Sequence, residues 1–292
     1  MRVAIFLCVF AFMVFGVGSG AFASEAKTRK FTVGDVVVWA IADSLGDRDM
    51  SVFIGLDPDV QKQYAPLGKS PSAVMAFLVK TKDETILIDT GMNGLFPAGL
   101  AEVSSAADVT KVLITHMHGD HINGLVQDGK RVFGNALVLA SRQEREFWLD
   151  EKSAEKFPDR KAGLDSARRI MGIYGADGKA FEYGDIVAEG ADFKLEAIDA
   201  HGHTPGHTVF MLTSNGERLL FWADLSHAAA LQFPRPDINA TYDMNPEEAA
   251  KTRLHFMELA ATEKLTIAGV HLPFPGVGAV EKAPVGYTYK SR

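Results

Sequence analysis

The chain of 292 residues is 47% hydrophobic and carries a formal net charge of −7 at pH 7. This length and composition allow a sizeable hydrophobic core, and the lack of a basic cluster in the sequence argues against a nucleic-acid partner. The only cysteine, Cys8, lies close to the N-terminus, so thiol chemistry in the rest of the chain is excluded.

The first 23 residues have the three parts of a secretory signal. Arg2 supplies a positive charge, Val3 to Val17 is almost wholly apolar, and Ala21-Phe22-Ala23 has the small residues of a cleavage site. The apolar run is short for a membrane span, which favours removal over a retained helix. We therefore expect a signal peptide over residues 1–23, a single domain over residues 24–292, and a periplasmic or secreted location.

The N-terminal part of the predicted domain is rich in strand patterns. Phe31 to Ala42 contains a run of β-branched and aromatic residues that predicts a strand. The stretch Ser44 to Pro71 is rich in Gly, Asp and Pro and predicts a long, substrate-facing loop. Ala73 to Lys80 and Thr85 to Ile88 then predict two paired strands, and the second ends in Asp89-Thr90-Gly91.

Three histidines and an aspartate follow the next short strand. Val112 to Ile114 is apolar and partly β-branched, as is typical of a buried strand. If the chain stays extended, His116 and His118 face one side, because residues two positions apart share a face. The next glycine allows a turn that brings Asp120 and His121 towards the same space. Imidazoles and carboxylates bind zinc and other divalent metals, so a metal site is favoured over a polar loop with structural histidines.

The middle of the chain predicts supporting elements. They are a helix opening at Ile122 to Val126, a strand over Ala136 to Ala140, a helix over Arg142 to Leu149, and an amphipathic helix over Asp159 to Tyr174. Ser141 and Glu144 have the spacing of a capping box at the start of the helix predicted over Arg142 to Leu149.

Further metal-binding candidates come after later strands. Phe193 to Ile198 predicts a strand that leads into His201-Gly202-His203-Thr204-Pro205-Gly206-His207, and Arg218 to Trp222 predicts another that leads into Asp224. Asn245 and the residues after it have the cap, proline and acids of a helix start. Leu265 to Val270 predicts the last strand, which is followed by His271.

The HxHxDH string at residues 116–121 matches the signature of the metallo-β-lactamase superfamily, and the later motifs follow in that superfamily's order. The chain therefore resembles this superfamily from its first strand to the loop at residue 271. The resemblance implies an αββα sandwich, an α/β fold of two mixed sheets flanked by helices, with the metal site at one sheet edge. It also places the Asp89 carboxylate behind the metal ligands.

The resemblance implies two divalent metal ions, with zinc favoured and manganese, iron or cobalt as alternatives. One ion would be held by His116, His118 and His207, the other by Asp120, His121 and His271, with Asp224 shared between them. His201 and His203 are expected to be loop residues or supports of the ligands. A hydroxide bridging the metals would attack the substrate, and Asp120 would also orient it and carry its proton.

Within the superfamily, residues 223–234 and the HLPFPG segment after residue 270 are similar to methyl parathion hydrolase-like enzymes and quorum-quenching lactonases. His227 stands where these lactonases usually have a tyrosine, so we expect it to contact the substrate or to support Asp224. The predicted function is a secreted dinuclear hydrolase of lactones, aryl esters or phosphotriesters. The alternatives are a glyoxalase II-like thioester hydrolase, a β-lactamase, a mononuclear iron sulfur dioxygenase, and a binding protein with a vestigial site.

The predicted partner is a small-molecule substrate. We expect no membrane contact after signal cleavage, and the sequence leaves open whether the chain forms a homodimer. We expect a neutral, fairly apolar substrate, because several apolar residues lie in segments predicted to border the metals. They are Phe53, Ile54, Leu231, Phe233, Leu272 and Phe274.

Overall fold

The computed structural model describes residues 27–292. The predicted signal peptide, residues 1–23, lies outside the described residues, so its cleavage and the periplasmic or secreted location stay predictions. Within the described part, the structure has no helix that is both long enough and apolar enough to span a membrane.

The first half of the described chain forms one seven-stranded sheet with its helices. In order, the elements are β1 (Thr28–Val33), β2 (Val36–Asp49), α1 (Pro58–Tyr64), β3 (Lys69–Lys80), β4 (Thr85–Ile88), α2 (Phe96–Val103), β5 (Lys111–Leu113), α3 (Gly119–Ile122), β6 (Val126–Gln127), β7 (Lys130–Arg131), β8 (Leu137–Ser141), α4 (Arg142–Leu149), α5 (Glu151–Lys156), α6 (Lys161–Tyr174) and β9 (Gly178–Phe181). The strand order in this sheet is β1-β2-β3-β4-β5-β8-β9, while β6 and β7 form a separate hairpin.

The second half forms another seven-stranded sheet, whose strands neighbour one another in chain order. Its elements are β10 (Ile186–Glu189), β11 (Phe193–Asp199), β12 (Thr208–Ser214), β13 (Glu217–Ala223), α7 (Ala229–Gln232), α8 (Pro246–Glu263), β14 (Thr266–Gly269), β15 (Val277–Lys282) and β16 (Tyr287–Ser291). Both sheets contain parallel and antiparallel pairs.

Three apolar clusters hold these layers together. One lies between the sheets, where Phe77 of the first sheet contacts Phe221 of the second with ring centroids 5.5 Å apart. The others lie between each sheet and its outer helices, around Trp148 on one side and Phe256 on the other. The central strands are therefore buried on both faces, which is why they are apolar runs rather than alternating patterns. The predicted αββα sandwich is confirmed.

The predicted loop over Ser44–Pro71 is wrong. β2 continues to Asp49 and β3 begins at Lys69, and the two strands remain paired beyond a register shift between Ala42 and Ser44. A ladder of main-chain hydrogen bonds forms whatever the side chains are, so Gly- and Asp-rich sequence does not prevent it. The helix predicted from Ile122 is also misplaced, because α3 is one turn that ends there.

The capping box predicted at the start of α4 is half right. The Ser141 hydroxyl accepts a hydrogen bond from the Glu144 backbone N–H, as a capping residue does. The Glu144 carboxylate, however, does not return to the cap. It is fully buried and accepts hydrogen bonds from two loops outside the helix.

Candidate metal centre and active-site cleft

Strand ends place the candidate ligands at one edge of the sandwich. β4 and β5 run parallel, so their carboxyl ends meet at the same edge. β5 leads to His116 and β13 leads to Asp224. β14, which is parallel to β13, leads to His271. Residues more than 150 positions apart in sequence are brought together in this way.

The Asp89 carboxylate supports the HxHxDH loop from behind. Asp89 is buried, with a positive φ of 58° at the end of β4. One carboxylate oxygen accepts a hydrogen bond from the Thr115 N–H at 2.9 Å, and the other lies 2.8 Å from His121 Nδ1. The Nδ1–H of His121 therefore donates to Asp89, which leaves Nε2 directed towards the centre. The predicted role of Asp89 agrees with this geometry.

The Asp224 carboxylate is the centre of the site. Its Oδ1 lies 3.3 Å from His121 Nε2. Its Oδ2 lies near four other imidazole Nε2 atoms, those of His271 at 3.1 Å, His227 at 3.2 Å, His203 at 3.3 Å and His116 at 3.6 Å. This one carboxylate thus contacts residues of every candidate ligand loop.

The metal-type donors form two groups at this carboxylate, and one of them includes Asp224 itself. The donor atoms of each group lie within 4.8 Å of one another; one group is His116, His118, His203 and Asp224, and the other is Asp120, His121 and His271. Asp224 also groups with His227 and His271. Six of the seven predicted ligands are therefore assembled, and the exception is His207.

His207 has no ring nitrogen free for a metal. Its Nδ1 donates to the Ala200 carbonyl at 2.9 Å, and its Nε2 accepts from the backbone N–H of Asp224 at 3.2 Å. His203, four residues earlier, lies 3.0 Å from His118 Nδ1. The geometry therefore favours His203 over the predicted His207 as the candidate ligand of this loop. Two histidines in one loop satisfy the same motif, and only the backbone conformation decides which one reaches the centre.

Two buried residues that the sequence analysis did not single out support His203. The His203 Nδ1 lies 2.8 Å from the Asp243 carboxylate, so its Nδ1–H donates there and its Nε2 faces the site. Asp243 also forms an ion pair with the buried guanidinium of Arg253 at 3.2 Å. Carboxylates that hold metal-binding imidazoles in this way fix the tautomer and the ring orientation. No short motif marks these residues, because they lie 40 and 50 positions away from His203.

Glu144 joins the loops that carry His118 and His203. Its carboxylate accepts hydrogen bonds from the Met117 N–H at 2.8 Å, the Thr204 hydroxyl at 2.8 Å and the Gly206 N–H at 2.9 Å. Burial raises the pKa of this carboxyl to about 7, although these three donors oppose the shift. The sequence analysis interpreted Glu144 as part of a capping box and did not predict this role.

The charges in the site stabilise one another. Burial raises the pKa of Asp224, but His271, His121 and His116 outweigh it and hold that pKa well below its usual range. Burial lowers the pKa of His271, but Asp224 and Asp120 raise it to about 9 overall. Such strongly shifted, mutually dependent groups in a cleft are typical of a functional site.

A cleft of about 370 Å³ opens onto these residues. His227 lines it and is nearly completely buried, with its ring stacked on His271 at a centroid distance of 5.0 Å. Burial lowers the pKa of His227 to about 4, so the ring is neutral at pH 7. Its Nε2 contacts Asp224, while its Nδ1 has no hydrogen-bond partner among the described residues.

The apolar residues expected around the cleft do not line it. Phe53, Leu231, Phe233 and Leu272 are buried in the core, Ile54 is exposed, and Phe274 packs against the cluster between the sheets. Apart from the centre itself, the lining includes Arg48, Arg160, Thr241 and Tyr242. The cleft is polar, so the predicted preference for apolar substrates has no support in its walls.

Comparison with known proteins identifies the family of this chain. The model of the metallo-β-lactamase superfamily matches residues 70–269, which include all the candidate ligands except His271. The chain belongs to the metallo-β-lactamase superfamily. Its two large mixed sheets flanked by helices match the fold of this family.

Two solved structures of the superfamily are similar over most of the chain. The hydrolase AbOPH is 31% identical, with a TM-score of 0.84, and the match covers 91% of this chain and 98% of that one. AidC, described as a dizinc quorum-quenching lactonase in complex with a product, is 27% identical, with a TM-score of 0.80 and the same coverage. Family membership and these neighbours identify the chain as a metal-dependent hydrolase.

Curated relatives match shorter segments. An uncharacterised protein, YobT of Bacillus subtilis, is 27% identical over 144 residues, which cover 49% of this chain and 58% of that protein. A UPF0173 metal-dependent hydrolase of Geobacillus thermodenitrificans is 41% identical over 63 residues, or 22% of this chain and 26% of that protein. The chain thus spans less than two thirds of these relatives.

Proposed function

We propose that the protein is a secreted dinuclear metallohydrolase of lactones, aryl esters or phosphotriesters. The observation that carries the second ion of this assignment is the pair His121 Nε2 and Asp224 Oδ1, 3.3 Å apart. Both atoms are buried and have no hydrogen-bond partner among the described residues. Buried polar atoms without a partner are costly, and a cation held between donor groups would satisfy both.

The donor chemistry fits two divalent ions. We propose that His116, His118 and His203 hold one ion, that Asp120, His121 and His271 hold the other, and that Asp224 is shared. Imidazole nitrogens and carboxylate oxygens suit zinc, which we favour, and also manganese, iron and cobalt. A mononuclear iron dioxygenase would need only the first group and Asp224. The assembly of the second group therefore favours a dinuclear hydrolase.

Bound divalent ions would supply an acidified water and polarise the scissile bond. The protein residues then have distinct roles. Asp120 is only partly buried and lines the cleft, so its carboxylate can orient the attacking water and accept its proton. His227 lines the same cleft and can hydrogen-bond the substrate oxygen or the leaving group. Asp89 and Asp243 hold the imidazoles of His121 and His203 in orientation.

The choice of lactones is supported by one of the neighbours. AidC, at 27% identity, is described as a lactonase with a bound N-acyl homoserine product, and AbOPH, at 31% identity, as a hydrolase. A thioesterase of the glyoxalase II type and a β-lactamase stay alternatives that a substrate panel separates. The proposed secretion depends on the sequence of residues 1–23 alone.

Metal analysis combined with a substrate panel tests this proposal. We expect two metal ions per chain and hydrolysis of lactones, aryl esters or phosphotriesters that is lost on chelation and restored by zinc or manganese. The panel includes thioesters and β-lactams as competing classes. One metal per chain, or turnover of thioesters or β-lactams alone, would contradict the proposal.

Two matched variants test the ligand set in the same assay. His203→Ala is expected to bind fewer than two metals, because a ligand is removed. His207→Asn is expected to keep both, because the ring nitrogens of His207 hydrogen-bond only to backbone groups. If His207→Asn loses a metal and His203→Ala keeps both, the ligand is His207, as predicted from the sequence.

A further inference from the structure

We propose that the cleft binds a substrate that carries a carboxylate in addition to its scissile ester or lactone bond, and that Arg48 and Arg160 hold this carboxylate. The inference rests on the proposed hydrolase function and specifies its substrate class. Both arginines line the cleft together with the candidate ligands Asp120 and His271.

Arg48 is a partly buried cation whose neighbouring acids are engaged elsewhere. It lies at the end of β2 between Asp47 and Asp49. Asp47 pairs with Lys69 at 2.9 Å, and Asp49 accepts a hydrogen bond from the Ser51 N–H at 2.8 Å. Neither carboxylate therefore neutralises the guanidinium.

The remaining contacts of Arg48 also leave its charge uncompensated. One terminal N–H donates a long hydrogen bond of 3.4 Å to the Tyr242 hydroxyl, and the guanidinium lies 5.6 Å from that ring. The other terminal nitrogen is 3.3 Å from His271 Nδ1. That Nδ1 already donates its hydrogen to the Ala73 carbonyl at 3.0 Å, so it has no lone pair for Arg48. The Arg48 Nε is buried and has no partner among the described residues.

Arg160 adds a second cation from a distant part of the chain. It ends the 3₁₀ turn Pro158–Arg160 between α5 and α6 and is only partly exposed. Over residues 27–292, no carboxylate forms an ion pair with Arg48 or Arg160, whereas Arg131, Arg142, Arg218 and Arg235 are all paired. Arg29, Arg145, Arg169 and Arg292 are also without an ion pair among the described residues, so what distinguishes Arg48 and Arg160 is that both line the cleft.

A carboxylate is the group that satisfies this arrangement. The guanidinium fork matches carboxylate geometry, and charge-assisted hydrogen bonds of this kind are about twice as strong as neutral ones. Among the described residues, Asp120 and Asp224 are the only carboxylates that line the cleft, and both are assigned to the metal ions. The cations therefore need an anion from outside the protein. Half-esters of dicarboxylic acids and lactones with a carboxylate side chain have the required chemistry.

A pair of esters that differ in one charge tests the proposal. Mono-4-nitrophenyl adipate and 4-nitrophenyl hexanoate have the same leaving group and acyl length, and only the first carries a carboxylate. With the metal-loaded enzyme we expect kcat/KM to be at least tenfold higher for the adipate ester. Arg48→Met and Arg160→Met are each expected to lower kcat/KM for the adipate ester about tenfold more than for the hexanoate ester. Arg169→Met, an exposed arginine outside the cleft, is the control.

Equal kcat/KM values for the two esters in the wild type, or variants that slow both esters alike, would overturn the inference without affecting the proposed hydrolase function. If neither ester is hydrolysed, adipate binding to the metal-loaded protein, measured by calorimetry, decides instead. Binding at least tenfold weaker in the double arginine variant supports the carboxylate site. Unchanged binding overturns it.

Discussion

The contacts of His227 are consistent with two roles, support of Asp224 and contact with the substrate. Its Nε2 is 3.2 Å from Asp224 Oδ2, which would let it hold the shared carboxylate in place. Its ring lines the cleft, which would let it contact a substrate, and its Nδ1 is buried and has no partner within the described chain. Because its pKa is lowered to about 4 by burial, it acts as a neutral imidazole in either role.

Replacement of this side chain separates the roles. We expect His227→Ala to lower kcat by about 100-fold, the typical value of a transition-state hydrogen bond, and to retain both metals. His255→Ala, an exposed histidine on α8, is the control and should change neither quantity. Loss of a metal in His227→Ala would instead show that His227 supports Asp224, and unchanged kcat with full metal content would exclude both roles.

Helix α4 fixes the relative position of two ligand loops through one side chain. Glu144 lies in its first turn and is hydrogen-bonded to the loops on either side of the centre. The helix itself is held by Trp148, whose ring packs edge-on against His118 at 5.4 Å. This element is therefore part of the site, although it supplies no ligand.

Glu144→Gln preserves the shape of this side chain and tests the connection. The amide can accept at only one atom, so at least one of the three donors would face an NH₂ group and lose its hydrogen bond. We expect metal affinity, measured by competition with a chromophoric chelator, to fall by about 10- to 100-fold, as is typical when groups behind metal ligands are changed. Glu146→Gln, on the exposed side of α4, provides the comparison. Equal affinities in the two variants would contradict the role of Glu144.

The candidate metal centre joins the two halves of the molecule, because the candidate ligands between His116 and His271 come from both sheets. Ions bound at such a centre contact loops of the first and second halves of the chain at once. The folded state alone presents all these donors together, so metal binding stabilises it over the unfolded chain.

Metal removal is therefore expected to lower the thermal stability of the whole chain. At a free metal concentration of about 100 Kd the stabilisation is about 2.7 kcal/mol, and about 2–4 °C per kcal/mol is expected for a domain of this size. Chelation should thus lower Tm by roughly 5–10 °C in thermal scans. Asp224→Ala, which lacks the shared carboxylate, should show a much smaller shift. An equal shift in wild type and variant would mean that the ions bind elsewhere.

The sequence by itself indicated strands interleaved with helices, and its resemblance to the superfamily implied the fold class and most of the candidate ligands. Apolar runs buried on both faces indicate central strands, and the HxHxDH string can be recognised because its four donors are close in sequence. Asp224 and His271 follow strand ends, where side chains of neighbouring strands meet. These features are local, or depend on the order of motifs along the chain.

The tertiary structure alone decided which histidine of the HTPGH loop reaches the centre, and what surrounds it. His203 and His207 differ only in where the backbone directs them, and the choice depends on Asp243 and on the Asp224 N–H. Arg48 lies in the stretch that was expected to face the substrate, but only the packing brings Arg160, from a distant segment, to the same cleft. Contacts between residues far apart in sequence are set by packing of the two sheets, and no local pattern records them.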